Sequence, residues 1–167
     1  MIRHYNRFDD LIRLKSLAAG VDPVVIKAIV QAESAFDSTA KRNEPAFYRR
    51  YIKDRPRWKK CRYYSQPEII AAGIGLMQVQ YTTALWMGFA EGGHWYLLFD
   101  PSINIRYGIA WYRNRLHKYE HTSMAISAYN CGTPKRIGSR FANQTYVDKV
   151  YGFADQVRAD WAATDPP

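Results

Sequence analysis

The sequence predicts a mainly α-helical single domain with an irregular basic insertion at about residues 41–68. The chain of 167 residues has the length of one domain, and 47% apolar content is typical of a folded protein. Apolar residues recur at helical spacing along most of the chain, whereas strand alternation is scarce. Between Lys41 and Glu68 the helical period fails, and three prolines interrupt a stretch that holds ten Lys or Arg residues against three acidic ones.

Two helices are predicted before the insertion. Residues 6–19 form the first, because their apolar side chains share one face and Gly20 suits a left-handed helix stop. Residues 24–36 form the second, since Asp22 supplies an N-cap and Pro23 is favoured in a first helical turn.

The chain after the insertion is again predicted to be helical. Two glycines, Gly73 and Gly75, lead into a helix over residues 81–89, which a loop at residues 92–93 follows. Asp100 and Pro101 repeat the cap and the proline, and they start a helix with apolar residues at Ile105, Ile109, Tyr112 and Leu116.

Two further helices complete the predicted domain. Thr122 is expected to cap a short helix that runs through Tyr129 and ends at Gly132, and a last helix starts at about Asn143. We expect any β structure to lie within residues 41–75.

Glu33 lies on the apolar face of the second predicted helix. It follows Ile26, Ile29 and Val30 by seven, four and three residues, so helical periodicity directs it toward the core. Burial disfavours ionisation and raises the pKa of a carboxyl group, which can then donate a proton to a leaving oxygen. The alternative is that Glu33 bends out to solvent or pairs with an arginine.

Four short motifs occur in a specific order around this glutamate. They are Glu33-Ser34-Ala35-Phe36, Gly75-Leu76-Met77-Gln78, Ala128-Tyr129-Asn130 and Tyr146-Val147, with Asp100-Pro101 and Asn104 between the second and third. Together they span residues 22–150, and the sequence there resembles the catalytic domains of soluble lytic transglycosylases. The main departure is the basic insertion, since the family commonly has only a short turn between the first two motifs.

The resemblance implies a lysozyme-like fold whose cleft binds peptidoglycan glycan strands, with no metal or organic cofactor. Glu33 would be the catalytic acid and base: it protonates the bond between N-acetylmuramic acid and N-acetylglucosamine, and its carboxylate then helps to close a 1,6-anhydro ring. Tyr146 matches a tyrosine that hydrogen-bonds the catalytic acid. The residues matching positions that line the cleft are Ser34, Met77, Gln78, Tyr129 and Asn130.

Two other functions stay open from the sequence. A lysozyme-type hydrolase on the same fold needs a second carboxylate to position water, and Asp37, Glu44 or another acid could supply it. A non-catalytic module that binds the cell wall or nucleic acid is the other alternative.

The basic insertion predicts a polyanionic partner. Its cations alternate with aromatic residues, which favours attachment to anionic polymers of the cell envelope. No helix-turn-helix, zinc or RNP-like motif is present, so we do not expect nucleic acid as the partner. His117 and His121 are four residues apart, but two ligands do not make a metal site.

Processing and location are also predicted from the sequence. The sequence has no apolar run that resembles a signal peptide or a transmembrane segment, so we expect synthesis in a cytoplasm and free thiols at Cys61 and Cys131. A wall enzyme made this way needs holin-type release or transport in a virion, which suggests a bacteriophage endolysin.

Overall fold

This computed structural model describes residues 5–90 and 93–164. Eight α-helical segments, some of a single turn, carry most of these residues. Two compact units divide the chain. The first unit takes in the described residues up to Phe36 and from Ile109 onward, and the second takes in Asp37–Gly108. The mainly α prediction is confirmed.

Helices α1 (Asp9–Ala18) and α2 (Pro23–Ser34) open the first unit. Gly20 ends α1 with a φ of 66°. Asp22 caps α2, because its Oδ1 accepts a hydrogen bond from Val24 N at 2.8 Å. These local signals explain why the predicted boundaries of both helices lie within three residues of the observed ones.

Helices α6 (Pro101–Tyr119), α7 (Thr122–Cys131) and α8 (Gln144–Thr164) form the C-terminal part of the chain. Within the first unit α8 packs against α2 and α7. The prediction that Thr122 caps α7 is wrong: His121 has the extended N-cap conformation, and no side chain there accepts a cap hydrogen bond. Gly132 ends α7 in a conformation with positive φ, as predicted.

The second unit holds a three-stranded antiparallel sheet and several short helical turns. Strands β1 (Lys41–Asn43), β2 (Ala72–Ile74) and β3 (Val79–Gln80) pair in that order. The turns are α3 (Pro45–Phe47), α4 (Pro67–Ile70), α5 (Tyr81–Trp86), a π-helical turn at Tyr48–Ile52, and 3-10 turns at Pro56–Trp58 and Trp95–Phe99. The insertion is thus irregular with short helical turns, as expected.

The expectation that β structure stays within residues 41–75 is wrong in two places. Strand β3 lies beyond it, because Gly75 and Gln78, with φ of 68° and 48°, turn the chain back onto β2. A hairpin of β4 (Arg136–Ile137) and β5 (Arg140–Phe141) lies in the first unit, with Gly138 at positive φ in its turn. The predicted loop at residues 92–93 falls partly outside the described residues.

Buried aliphatic side chains of α2, α7 and α8 form the core of the first unit. One charged residue joins them: Lys27 is fully buried and contacts Asp9 Oδ1 at 2.7 Å. Its ammonium group also lies 4.0 Å from the centre of the Tyr5 ring. Both cysteines, Cys61 and Cys131, are free thiols, as predicted.

Candidate active site

Glu33 lies in the last turn of α2, where the helix comes to an abrupt end. Ala35 and Phe36 both have positive φ, 51° and 66°, and L-residues other than Asn or Asp rarely adopt that conformation. Ile26, Ile29 and Val30 are fully buried on the same helix, whereas Glu33 is half-buried. The carboxyl group is therefore attached to a rigid apolar helix and lies at the margin of the core.

Tyr146 contacts this carboxyl group from α8. Its hydroxyl donates a hydrogen bond of 2.7 Å to Glu33 Oε1, across 113 residues of sequence. Because α8 packs along α2, the first turn of α8 lies beside the last turn of α2. The hydrogen bond holds one oxygen of the carboxyl group in a defined direction.

Tyr129, in α7, is a second tyrosine close to Glu33. Burial raises the pKa of the Tyr129 hydroxyl well above its usual value of 10.0, and the charge of Glu33 raises it further. Its backbone oxygen accepts a hydrogen bond of 3.3 Å from Trp111 Nε1. The hydroxyl group of Tyr129 therefore stays protonated and neutral at physiological pH.

Asn130 follows Tyr129 and is exposed at the end of α7. Its Oδ1 accepts a hydrogen bond of 3.1 Å from Asn143 Nδ2. Asn143 also binds Ser127, so the end of α7 is fixed to the start of α8.

Ser34 and Lys149 both contact the backbone of α2. Ser34 Oγ donates a hydrogen bond of 3.3 Å to Val30 O, within the helix. Lys149 Nζ donates one of 2.9 Å to Ala32 O from α8. A cation that binds the terminal carbonyls stabilises the helix end that carries Glu33.

The Gly75-Leu76-Met77-Gln78 motif forms a tight turn in the second unit. Asn104 fixes this turn: its Oδ1 accepts from Met77 N at 2.8 Å, and its Nδ2 donates to Ile74 O at 2.8 Å. A side chain at Gly75 would collide with Asn104, since a Cβ there would lie 2.5 Å from Asn104 Nδ2. The glycine is therefore required for the turn.

Met77 and Gln78 are both engaged inside the second unit. Met77 is fully buried. Its sulfur packs so closely against Gly108 that a side chain at that position would collide with it. Gln78 Nε2 donates to Gly75 O at 2.9 Å and to Ala40 O at 3.2 Å. These bonds use the amide hydrogens of Gln78 to hold the turn, so the group it has to offer a ligand is the acceptor Oε1.

The two candidates for a second carboxylate have local partners. Asp37 Oδ1 accepts hydrogen bonds from Thr39 N at 2.8 Å and Thr39 Oγ1 at 2.7 Å, and these bonds lower the pKa of the exposed Asp37. Glu44 binds Arg42 through Oε1 at 3.1 Å and Gln80 through Oε2 at 3.1 Å. Each carboxylate thus has a structural role within the second unit.

Residues 5–90 and 93–164 contain no group of three or more His, Cys, Asp or Glu side chains placed to hold a metal ion. No helix of this part of the chain has the length and apolar character that a membrane crossing requires.

Sequence reasoning missed Asn143, Ser127 and Lys149 as parts of this site. Asn143 was expected only as the approximate start of the last helix, which is where a helix-capping asparagine is common. Its bonds to α7, and the bond of Lys149 to α2, join residues far apart in sequence. No local pattern reports such contacts.

A half-buried carboxyl group that a tyrosine hydroxyl holds in place has the chemistry that general acid-base catalysis requires. The family of the transglycosylase SLT domain matches residues 10–149. This match covers most of the chain, and the protein belongs to the transglycosylase SLT domain family.

A solved structure shows the same fold. It is that of an inactive Glu-to-Gln variant of the lytic transglycosylase Slt from Pseudomonas aeruginosa, with a TM-score of 0.69 and 19% sequence identity. The similarity covers 97% of this chain and 25% of the Slt chain, so the protein spans about a quarter of the length of Slt. The fold is therefore the lysozyme-like fold of lytic transglycosylases. A comparison with curated proteins finds no match.

Proposed function

We propose that this protein is a peptidoglycan lytic transglycosylase. It cleaves the β-1,4 bond between N-acetylmuramic acid and N-acetylglucosamine and leaves a 1,6-anhydro ring on the muramic sugar. The observation that carries the proposal is the hydrogen bond of 2.7 Å from Tyr146 to Glu33 in a chain of the SLT family. In the related Slt structure, a single Glu-to-Gln substitution gives an inactive protein.

Glu33 acts first as an acid. Its proton passes to the glycosidic oxygen, the bond from that oxygen to C1 of the muramic sugar breaks, and N-acetylglucosamine leaves with a new hydroxyl group. The acetamido group of the muramic sugar stabilises the positive charge at C1.

The same residue then acts as a base. The Glu33 carboxylate takes the proton of the muramic 6-hydroxyl, the O6–C1 bond forms, and the acid is regenerated without a water molecule. Tyr146 donates to Oε1 throughout, and this bond strengthens while Glu33 carries its charge. One carboxylate with two roles requires no second acid.

The remaining predicted residues support binding. Asn130 is exposed and offers amide hydrogens, and Tyr129, which is buried beside Glu33, stays a predicted substrate contact. Ser34 supports the end of α2 and is a predicted substrate contact. Met77 and Gln78 stay predicted substrate contacts of the second unit.

The lysozyme-type alternative is less favoured because Asp37 and Glu44 are engaged with their own neighbours. A hydrolase needs Asp37, Glu44 or another acid to position water, and the first two are the candidates that the sequence offers. Asp37 is held by Thr39, and Glu44 by Arg42 and Gln80.

Mass spectrometry of soluble products from purified peptidoglycan tests the proposal. Wild type is expected to release anhydro-muropeptides, and Glu33→Gln, which has nearly the same shape but cannot supply the proton, is expected to release none. Reducing-end products lost in the same variant would replace the proposal with a hydrolase. No products from wild type would leave a binding module as the better account.

We also propose that the basic segment, residues 41–68, attaches the enzyme to the carboxylates of peptidoglycan stem peptides. Its cationic side chains are exposed, and the following ones form no ion pair with another residue in the described part of the chain: Arg49, Arg50, Lys53, Arg55, Arg57, Lys59 and Lys60. An exposed cluster without acidic partners attracts polyanions.

Two aromatic residues of the basic segment are poorly placed to stack on nucleic acid bases. Trp58 and Tyr63 are buried, with 8% and 7% of their surface exposed. Arg57 covers Trp58 at 4.4 Å from the ring centre and also lies 5.1 Å from the Trp86 ring. Bases of a single strand need exposed rings on which to stack, and these two covered rings do not provide them. Tyr51 of the segment is 43% exposed, so the preference for an envelope polymer rests on the exposed charge and on the cover over Trp58 and Tyr63.

Co-sedimentation with insoluble peptidoglycan tests this attachment, with Glu33→Gln as the background that prevents digestion. The variant Arg49→Gln/Lys53→Gln/Lys59→Gln/Lys60→Gln is expected to bind more weakly and to lose most of the salt dependence of binding. The matched control, Arg7→Gln/Arg106→Gln/Arg113→Gln/Lys118→Gln, has the same net charge from exposed positions outside the segment. Equal weakening in both would show that only net charge matters.

Delivery to the wall by holin-type release or within a virion stays a prediction. Expression in a bacterial host with and without a co-expressed holin tests it. Rapid lysis only with the holin would support that delivery, and equal lysis without it would contradict it.

A further inference from the structure

Asn143 joins the end of α7 to the start of α8. Its Nδ2 donates to Ser127 O at 3.0 Å and to Asn130 Oδ1 at 3.1 Å, and its Oδ1 accepts from Ser127 Oγ at 2.6 Å. Both amide hydrogens and one lone pair of the side chain are therefore used.

These bonds determine how two amide groups are oriented. The backbone oxygen of Ser127 can only accept, so Asn143 must direct its Nδ2 toward it. The second hydrogen of that Nδ2 is directed at Asn130, which must therefore present its acceptor Oδ1. Asn130 Nδ2 is left on the opposite side, and no described residue accepts a hydrogen bond from it. Since Asn130 is exposed, its two donors are directed toward solvent or ligand.

Asn143 also sets the start of α8. Its backbone oxygen accepts from Tyr146 N at 3.0 Å and from Val147 N at 3.3 Å, which are the first bonds of the helix. Tyr146 reaches Glu33 from this first turn. One residue therefore fixes both Asn130 and the helical turn that carries the partner of Glu33.

We propose that Asn143 is a positioning residue that makes Asn130 a hydrogen-bond donor to the glycan. An outward NH₂ group selects an acceptor oxygen, and the oxygen of the proposed substrate that accepts strongly but cannot donate is the acetamido carbonyl, which every sugar carries. An inverted Asn130 would present an oxygen and reject that carbonyl. The identity of the glycan oxygen rests on the proposed function, whereas the orientation of Asn130 does not.

Asn143→Asp tests the proposal with little change of shape. An aspartate keeps the backbone oxygen that starts α8 and the acceptor for Ser127 Oγ, but its carboxylate cannot donate. Asn130 is then expected to turn its NH₂ group toward the introduced carboxylate and its oxygen outward. We expect kcat/KM on peptidoglycan to fall about tenfold to a hundredfold, mainly through a higher KM. Asn114→Asp, an exposed position on α6 in the same unit, is the charge-matched control and is expected to leave both constants unchanged.

A double-mutant cycle separates positioning from a general loss of structure. In an Asn130→Ala background, Asn143→Asp is expected to have little further effect on KM, because its effect passes through Asn130. An undiminished effect in that background, or an equal effect of Asn114→Asp, would overturn the proposal.

Side-chain amide exchange measured by ¹⁵N NMR on Glu33→Gln gives a readout that needs no activity. The NH₂ protons of Asn143 are expected to exchange with solvent more slowly than those of Asn130, because only the former are both hydrogen-bonded. Equal exchange would overturn the assigned orientation. If wild type made no anhydro product, the proposed function would fail while this measurement still decided the role of Asn143.

Discussion

Tyr146→Phe removes the hydroxyl that holds Glu33 and leaves the aromatic ring in place. The distance of 2.7 Å from the Tyr146 hydroxyl oxygen to Glu33 Oε1 lies at the upper end of the range of charge-assisted hydrogen bonds. A bond to a charged group is worth about 1.5–3 kcal/mol and one to a neutral group about 0.5–1.5 kcal/mol. The bond therefore stabilises the state in which Glu33 is losing its proton by about 1–2 kcal/mol more than the protonated acid.

This difference predicts a kcat that is about fivefold to thirtyfold lower in Tyr146→Phe. The loss of the ground-state bond should lower Tm by about 2–4 °C, as expected for about 1 kcal/mol in a domain of this size. The assay is release of soluble anhydro-muropeptides from peptidoglycan at saturating concentration. Tyr151→Phe, on the same helix α8, is the matched control and should keep the wild-type kcat. A kcat of Tyr146→Phe within twofold of wild type would refute the role assigned to this bond.

Three further outcomes are expected. Asp37→Asn and Glu44→Gln should each still release the anhydro product, and loss of product in either would favour the hydrolase. Lys27→Met should lower the free energy of unfolding by about 2–4 kcal/mol in a urea titration, because Asp9 then lacks its buried partner. Adding Asp9→Asn to this variant should recover part of the lost stability. No recovery in the double variant would contradict the role assigned to the ion pair. Burial raises the pKa of four tyrosines above the usual 10.0, that of Tyr5 to about 12, so these hydroxyls stay neutral in the folded protein while the unfolded chain ionises. The stability that these neutral tyrosines contribute is complete below pH 10 and is lost as the pH rises further. In an alkaline titration, tyrosinate absorbance should therefore appear together with unfolding. Full ionisation of these tyrosines near pH 10 in the folded protein would contradict this expectation. The residues are Tyr5, Tyr112, Tyr129 and Tyr151.

Local signals in the sequence predicted most of the helices. Asp22 and Pro23 start α2, and Gly132 ends α7, because caps and stops depend on a few neighbouring residues. Thr122 failed as a cap because the chain adopts the N-cap conformation one residue earlier, at His121. Short strands such as β4 and β5 have only two residues each, too few for an alternating pattern to appear.

Contacts between distant segments were beyond what periodicity can reveal. The apolar spacing of α2 directed Glu33 toward the core, but only the family resemblance connected it with Tyr146. Lys27 lies on the same helix and is fully buried, which the usual exposure of lysine does not predict, because its partner Asp9 comes from α1. Asn104 holds the turn at Gly75 from 27 residues beyond Met77, through a pairing that no local pattern reports.

The sequence likewise predicted only part of the structure of the basic segment. Its charge was evident from the sequence, and so were its prolines. The burial of Trp58 and Tyr63 was not, since aromatic residues among cations are equally typical of an exposed stacking surface. The burial of these two rings adds to the preference for an envelope polymer over nucleic acid that the sequence already predicted.

In the proposed reaction, O6 of the muramic sugar attacks C1 of the same sugar, with Glu33 as the base. Digestion of peptidoglycan in water enriched in heavy oxygen tests this step, because water would otherwise supply the oxygen at C1. Wild type is expected to release anhydro-muropeptides that carry no heavy oxygen at C1, and Glu33→Gln is expected to release no product. Reducing-end muropeptides with one heavy oxygen, released by wild type, would show that water attacks C1 and would contradict it.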